Sequence, residues 1–283
     1  MRPEMEKRRF EVRHIVYIVI IIVCLIAVGV AVYMQFFKDE KLGVIVGITK
    51  EKEDEEIKKL KENFLNIFDN SIEKVSEYTR TVNKIKNDED VILIAYDTQE
   101  QEENYMVDFK IPYFNINSDV AKQYNQQIKS IFKDKSENVL SSKSRKNIVF
   151  NVKYKAYENG NILSLVILSE LKEGESNERI IIQTYNYNLE TNQMVNIDDV
   201  LKQKNIDTKS ANNEIKNEIN NSQEQNLKLA ELGYNVTIRD VNKDEYKIEN
   251  SKEFFLGQNG YLYVIYPYGN DEFTSEMDVV IFK

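Results

Sequence analysis

One histidine (His14), one cysteine (Cys24) and no tryptophan in 283 residues remove much chemistry at the outset. Histidine-based zinc sites, Ser-His-Asp triads and Cys-His dyads all need an imidazole, and the single one stands beside an apolar run. A lone cysteine permits no disulfide within the chain. No G-x-S-x-G, H-E-x-x-H, Walker loop, dinucleotide fingerprint or EF-hand loop occurs. Intrinsic disorder is excluded as well: 42% of the residues are apolar and 38 basic residues face 47 acidic ones, too apolar and too balanced for an unfolded chain. The length suits one large domain or two modest ones.

What the chain does contain is a run of twenty residues without a charge, Ile15 to Met34 (IVYIVIIIVCLIAVGVAVYM). As a helix it measures about 30 Å, the thickness of a bilayer's hydrocarbon core. Arg2, Lys7, Arg8, Arg9 and Arg13 precede it, whereas only Lys38 and Lys41 follow closely. The positive-inside bias therefore places residues 1–14 in the cytoplasm, a membrane-embedded helix over 15–37, and everything from Lys38 outside the cell. Tyr17, Tyr33, Phe36 and Phe37 fall near the two interfaces, where aromatic rings are favoured. Gly29 and Ala31 have the small size of a signal-peptidase site, so cleavage stands as the alternative. Bulky Val23 ahead of Cys24 argues against lipidation. Removing the five basic and three acidic residues ahead of the span leaves 33 against 44, a net of −11. That polarity repels nucleic acid and attracts cationic partners.

Residues 38–90 read as a helical stalk, with Ile57, Leu60, Phe64, Ile67 and Phe68 on one face and a second, weaker helix through Val75 and Tyr78. Beyond residue 90 the period changes to two. VILIAYD and ENYMVDFKIPYF read as strands, the latter ended by Pro112. Asn117-Ser118-Asp119 caps a helix carrying Val120, Tyr124, Ile128 and Phe132. A hairpin of IVFNVKYKAY and ILSLVILSEL turns at Glu158-Asn159-Gly160-Asn161, and RIIIQTYNYNLE adds a further strand. A short helix runs from Asp198 to Lys204. A long polar helix over 208–230, sparse in apolar residues and therefore superficial, stops at Gly233. YNVTIRDV, EFFLG, YLYVIYPY (ended by Pro267) and MDVVIF close the chain as strands. The expected fold class is α+β, an antiparallel sheet with helices packed on one face, in two parts, 91–190 and 191–283.

No catalytic residue, metal ligand or cofactor is expected. Asp198-Asp199 and Asp271-Glu272 sit where a helix start and a turn want Asp, and Ser142-Lys143-Ser144 reads as a solvated loop. The strongest binding feature is tyrosine. Tyr185 and Tyr187 share a strand face, as do Tyr261 and Tyr263, while Tyr266 and Tyr268 crowd a strand end beside Asn270, Asp271 and Glu272. Tyr266, Tyr268, Asn270, Asp271 and Glu272 form the candidate binding surface, and a core role for most of the rings is the alternative.

The segments VDFKIPYF, NINSDVAKQYNQQI, YKAYENGNILSLVI, TYNYNLETNQMVNIDDVLK and GYLYVIYPYGN, in that order, carry a resemblance. From about Met106 onward the chain resembles the paired domains of unknown function in the ectodomain of RsiV-type anti-sigma factors, which also precede the catalytic domain of PdaC-type peptidoglycan deacetylases. The resemblance implies a mixed sheet-and-helix ectodomain in a bacterial envelope, facing a cationic extracellular protein (lysozyme in the anti-sigma case) or a cell-wall component. Only Met1 to His14 precede the span, too few for a sigma-holding module, and no histidine-bearing catalytic domain follows. The expectation is thus a non-enzymatic, sensor-like binding domain, with a wall-acting enzyme or its accessory as the alternative.

Overall fold

The computed structural model describes residues 55–103, 105–141, 147–268 and 276–283. The apolar run 15–34, with Gly29 and Ala31, and the Ser142-Lys143-Ser144 loop lie outside the described residues. Among those described, no helix is long and apolar enough to cross a membrane. Two compact units divide the chain, Met1–Lys58 and Lys59–Lys283.

Helix α1 spans Glu55–Glu62, and a 3-10 turn follows at Phe64–Ile67. The second stalk helix expected through Val75 and Tyr78 does not form. Ser71–Ser76 is strand β1, parallel to residues 155–159. Asn70, in the left-handed region at φ 60°, sets that register: its N–H donates to the Tyr154 carbonyl (2.9 Å) and its side-chain oxygen accepts from the Tyr154 N–H (3.0 Å). Sheet pairing overrides a weak helical spacing here, because ladder bonds and packing outweigh propensity.

The larger sheet continues with β2 (Ile92–Glu102) and β3 (Tyr105–Phe114). Helix α2 (Asp119–Ile128), a π-helical turn (Lys129–Lys133) and α3 (Asp134–Ser141) then return the chain to the sheet. Strands β4 (Ile148–Asn159), β5 (Ile162–Glu173), β6 (Arg179–Asn188) and β7 (Gln193–Met194) complete it in the order β2-β3-β4-β5-β6-β7. On one edge of β4, β3 pairs in parallel over Ile148–Val152 and β1 in parallel over Lys155–Asn159. The sheet is therefore mixed and mainly antiparallel, a correction to the wholly antiparallel expectation. Pro112 does not end β3. It pairs opposite Ile94 beside a bulge at Ala95, beyond Phe109 where β3 leaves β4, the setting in which a missing N–H costs least.

Helix α2 begins as its sequence indicates, with the Ser118 hydroxyl accepting from the Ala121 N–H (3.1 Å). Its face of Ala121, Tyr124 and Ile128, continued by Phe132, packs on one face of the large sheet against Phe109, Phe114, Phe150, Tyr185 and Tyr187. The opposite face receives a second sheet, which the single-sheet expectation lacked: β8 (Glu253–Leu256), β9 (Leu262–Tyr268) and β10 (Glu276–Phe282), an antiparallel meander. Helices α4 (Ile197–Lys204) and α5 (Thr208–Ser222) pack on it through Val200, Leu201, Ile215 and Ile219. The long helix is interrupted at Gln223, so α6 (Glu224–Glu231) is separate. Its first part is core rather than surface, since Ile215 and Ile219 are fully buried. Residues 234–240, expected as a strand, have no regular structure. Pro267 sits inside β9 opposite Met277, past the last β8 partner at Ile265, and so repeats the logic of Pro112.

The two sheets meet along a polar seam. Strand β8 pairs with β9 on one side only, and its other edge is satisfied by side chains of the large sheet. The Phe254 N–H donates to Thr184 Oγ1 (3.1 Å), and the Asn186 amide donates to the Phe254 carbonyl (2.7 Å). The Leu256 N–H donates to Ser164 Oγ (3.1 Å), and the Asn159 amide donates to the Leu256 carbonyl (2.9 Å). Ser164 in turn donates to Asn186 Oδ1 (2.7 Å). This demand moves the hairpin turn: Asn159 pairs with Ile162 as the last strand residue, and Gly160 (φ 59°) and Asn161 make the loop. Beside the seam, Phe255 and Tyr263 stack at 4.6 Å with Tyr157 5.8 Å beyond Phe255. Gly257 belongs to this stack, since a Cβ there would meet the Tyr263 ring at 2.6 Å.

Ser164→Ala leaves a buried N–H and a buried amide oxygen without partners. It lowers the unfolding free energy in urea by about 1–3 kcal/mol, whereas the exposed Ser176→Ala changes it little.

Candidate functional site

The three 3-10 residues Asp244–Tyr246, the loop at Ser251 and the strands β8 and β9 converge on a cleft of about 450 Å³. Tyr246, Ser251, Glu253 and Tyr266 form its inner wall, and Asp244, Glu245 and Lys252 reach its rim. The Tyr246 and Tyr266 rings lie 5.8 Å apart at 47°. The Tyr266 hydroxyl is 2.9 Å from Ser251 Oγ, and burial pushes its pKa up to about 12. Glu253 accepts from the Thr184 N–H (2.7 Å), the Thr184 hydroxyl (3.0 Å) and the Gln183 amide (3.3 Å). Burial raises the Glu253 carboxyl above the usual range, and the Thr184 bonds hold it back in part. At the rim, the Lys247 ammonium 2.6 Å from Asp244 keeps that carboxyl low.

Farther along β9, the Tyr268 ring lies 3.9 Å from the guanidinium carbon of Arg239. Arg239 is ion-paired with Asp278, and both side chains are buried, 1% and 8% exposed. Ser222 donates to the other Asp278 oxygen (2.7 Å), and Arg239 donates to Ser222 (3.0 Å). Burial raises the Asp278 carboxyl, with Ser222 and Arg239 pulling it back.

Of the expected binding residues, the structure therefore places Tyr266 in the cleft wall with its ring in the core, and Tyr268 half-buried against Arg239. Asn270, Asp271 and Glu272 lie outside the described residues. Tyr185, Tyr187 and Tyr263 are core rings, in keeping with the alternative given to them. The Asp198-Asp199 pair starts a helix: Asp199 completes a capping box with Asn196 at the head of α4. Among the described residues, no group of three or more His, Cys, Asp or Glu side chains is placed to hold a metal ion. Sequence reading missed Tyr246, Ser251, Glu253 and Arg239. Only Arg239 carried a usable signal, a lone cation inside the alternating run YNVTIRDV.

No family model matches the chain, and no curated protein matches it. Among solved structures it is similar to a DUF3298 family protein from Pseudomonas aeruginosa, at 10% identity and a TM-score of 0.43, over 69% of this chain and 91% of that one. It is also similar to a DUF3298 family member from Bacteroides fragilis, at 11% identity and a TM-score of 0.32, over 63% of this chain and 81% of that one. The likeness is a distant one of structure.

A carboxylate raised in the folded state binds more protons folded than unfolded. Its contribution to stability is therefore lost as pH rises from the ordinary glutamate range through the folded value. Glu253→Gln lacks this loss, so the variant gains on the parent as pH rises above the ordinary glutamate value of about 4; urea unfolding at a series of pH values reads it, and a constant difference would count against a buried ionisation. Arg239→Met alone leaves a buried carboxylate unpaired and costs about 3–5 kcal/mol, while Arg239→Met with Asp278→Leu costs less.

Proposed function

We propose that this chain is a single-pass envelope protein without catalytic activity, its N-terminus cytoplasmic, whose extracytoplasmic domain binds a cationic protein through the Tyr246–Tyr266 cleft. A lysozyme-like protein is the partner class, with a cationic wall component as its small-molecule counterpart. The observation that carries this reading is the cleft: two largely buried aromatic rings in its wall, with Asp244, Glu245 and Glu253 around them, Asp244 shared with Lys247 and Glu245 with Lys243. Aromatic faces beside carboxylates hold ammonium and guanidinium groups. The net of −11 beyond the apolar run adds a field that steers such a partner inward. The uncharged run 15–34, its basic N-terminal flank and the family resemblance from Met106 onward support the address.

A second reading, a peptidoglycan-acting enzyme or its accessory, is favoured by Glu253, a carboxyl raised by burial in a cleft wall, as a general acid requires. Against it, three donors from Thr184 and Gln183 already occupy the Glu253 oxygens.

The full chain in lipid nanodiscs, titrated with lysozyme, tests the first reading. Binding weakens roughly tenfold between about 50 and 300 mM salt, and Asp244→Lys with Glu245→Lys weakens it by a similar factor. Binding indifferent to both overturns the cleft as the site. Soluble product released from peptidoglycan, and lost in Glu253→Gln, would favour the second reading. A reporter fused behind Lys283 is active outside the cytoplasm; activity confined to the cytosol removes both readings.

A further inference from the structure

Residues 224–238 form an excursion clamped at its base. The Arg239 N–H donates to Gln223 Oε1 (2.9 Å) and the Gln223 amide donates to the Arg239 carbonyl (3.3 Å). The Arg239 guanidinium, buried against Asp278 and Ser222, anchors the same point to the small sheet and α5. Between the clamped ends, α6 buries none of its described residues. Its end is closed by Gly233 (φ 86°), with the Tyr234 N–H donating to the Leu229 carbonyl (3.0 Å). An eight-residue helix without an apolar contact face is marginal in water.

The excursion is nonetheless apolar. Leu232 is 74% exposed, Tyr234 63%, Leu227 45%, Ile238 43% and Leu229 38%. Five of the twelve exposed large apolar side chains among the described residues thus fall within residues 227–238, a concentration that marks an interaction surface rather than scatter. The stretch carries only Lys228 and Glu231 as charges, so it is neutral on an acidic domain.

We infer that this tip, Leu229 to Tyr234, docks the domain on the surface of the bilayer that its own chain spans, an inference that rests on the membrane tether proposed above. Twenty residues, 35–54, separate the uncharged run from the described domain, a reach of at most about 70 Å. The tether therefore confines the tip to the neighbourhood of the bilayer and raises its effective concentration there. Leucine side chains enter the acyl boundary, tyrosine rings settle at the headgroups, and a lipid surface supports a short amphipathic helix that water does not. A neutral tip meets less repulsion from anionic headgroups than the rest of the domain. The Arg239 clamp then has a use, as the mount that holds the tip out from the core.

The absence of tryptophan makes the test direct. The full chain carrying Leu232→Trp, and separately Ile85→Trp at another exposed site, is reconstituted in phosphatidylcholine–phosphatidylglycerol vesicles with acyl-brominated lipid. The Leu232→Trp emission shifts to the blue and is quenched by roughly half, as for an indole at the interface, while the Ile85→Trp emission is unchanged. Equal, weak quenching of both in vesicles that retain the chain overturns the docking and leaves the tether standing. A blue shift without bromine quenching assigns the tip to a second copy of the chain and overturns it too. A chain that fails to float with the vesicles removes the tether and the inference together.

Discussion

The edge of strand β8 is the point on which this domain turns. A strand paired on one side leaves a row of backbone groups that must find partners once buried, because an unpaired buried N–H or carbonyl costs about as much as a lost hydrogen bond. Thr184, Ser164, Asn186 and Asn159 supply those partners from three strands of the large sheet. Three of the four also have a second duty. The Thr184 hydroxyl accepts from Phe254 and donates to Glu253, Ser164 links Leu256 to Asn186, and the Asn186 carbonyl accepts from Tyr124 on the helical side. Two apolar cores are thereby locked in one register with no strand-to-strand ladder between them among the described residues.

Once that seam is set, the cleft follows. Glu253 stands one residue before the seam, so its carboxylate is drawn to Thr184 and buried. β9 then carries Tyr266 to the opposite wall, where Ser251 meets its hydroxyl. The same strand ends at Tyr268, over the Arg239 guanidinium. A buried ion pair of this kind is poor evidence of net stability, since desolvation offsets attraction. It does fix geometry, because its donors and acceptors admit one arrangement of α5, β10 and the 224–238 excursion. Cleft and apolar tip are thus both hung from polar groups buried in the interior.

Local signals in the sequence were strong where the interaction is itself local. The Ser118 cap, the face Tyr124–Ile128–Phe132, the long β4–β5 hairpin, β6 and the short helix to Lys204 were all legible from spacing and capping chemistry, although that helix starts at Ile197 under an Asn196 cap, one residue before the Asp198 expected. The errors share one cause. Ser71–Ser76 became a strand because β4 had an open edge; Asn159 left the turn because Leu256 needed a donor; Ile215 and Ile219 went inward because a second sheet lay beneath them; and 234–240 lost its strand because Arg239 was claimed by Asp278. In each case a partner distant along the chain outbid the neighbour nearby.

By itself, then, the sequence determined the uncharged span and the charge around it, the acidic balance of the remainder, the poverty in imidazole and thiol, and the alternation of helix and strand that makes an α+β chain. Only the tertiary structure decided that there are two sheets, that Tyr266 is a wall with a buried ring instead of a surface contact, that Arg239 and Asp278 are interior charges, and that Glu253 is half-buried against Thr184. The physical reason is range. Periodicity tells which face of an element is covered, but what covers it is settled by hydrogen bonds and contacts between residues 68 to 97 positions apart along the seam, which no local pattern encodes.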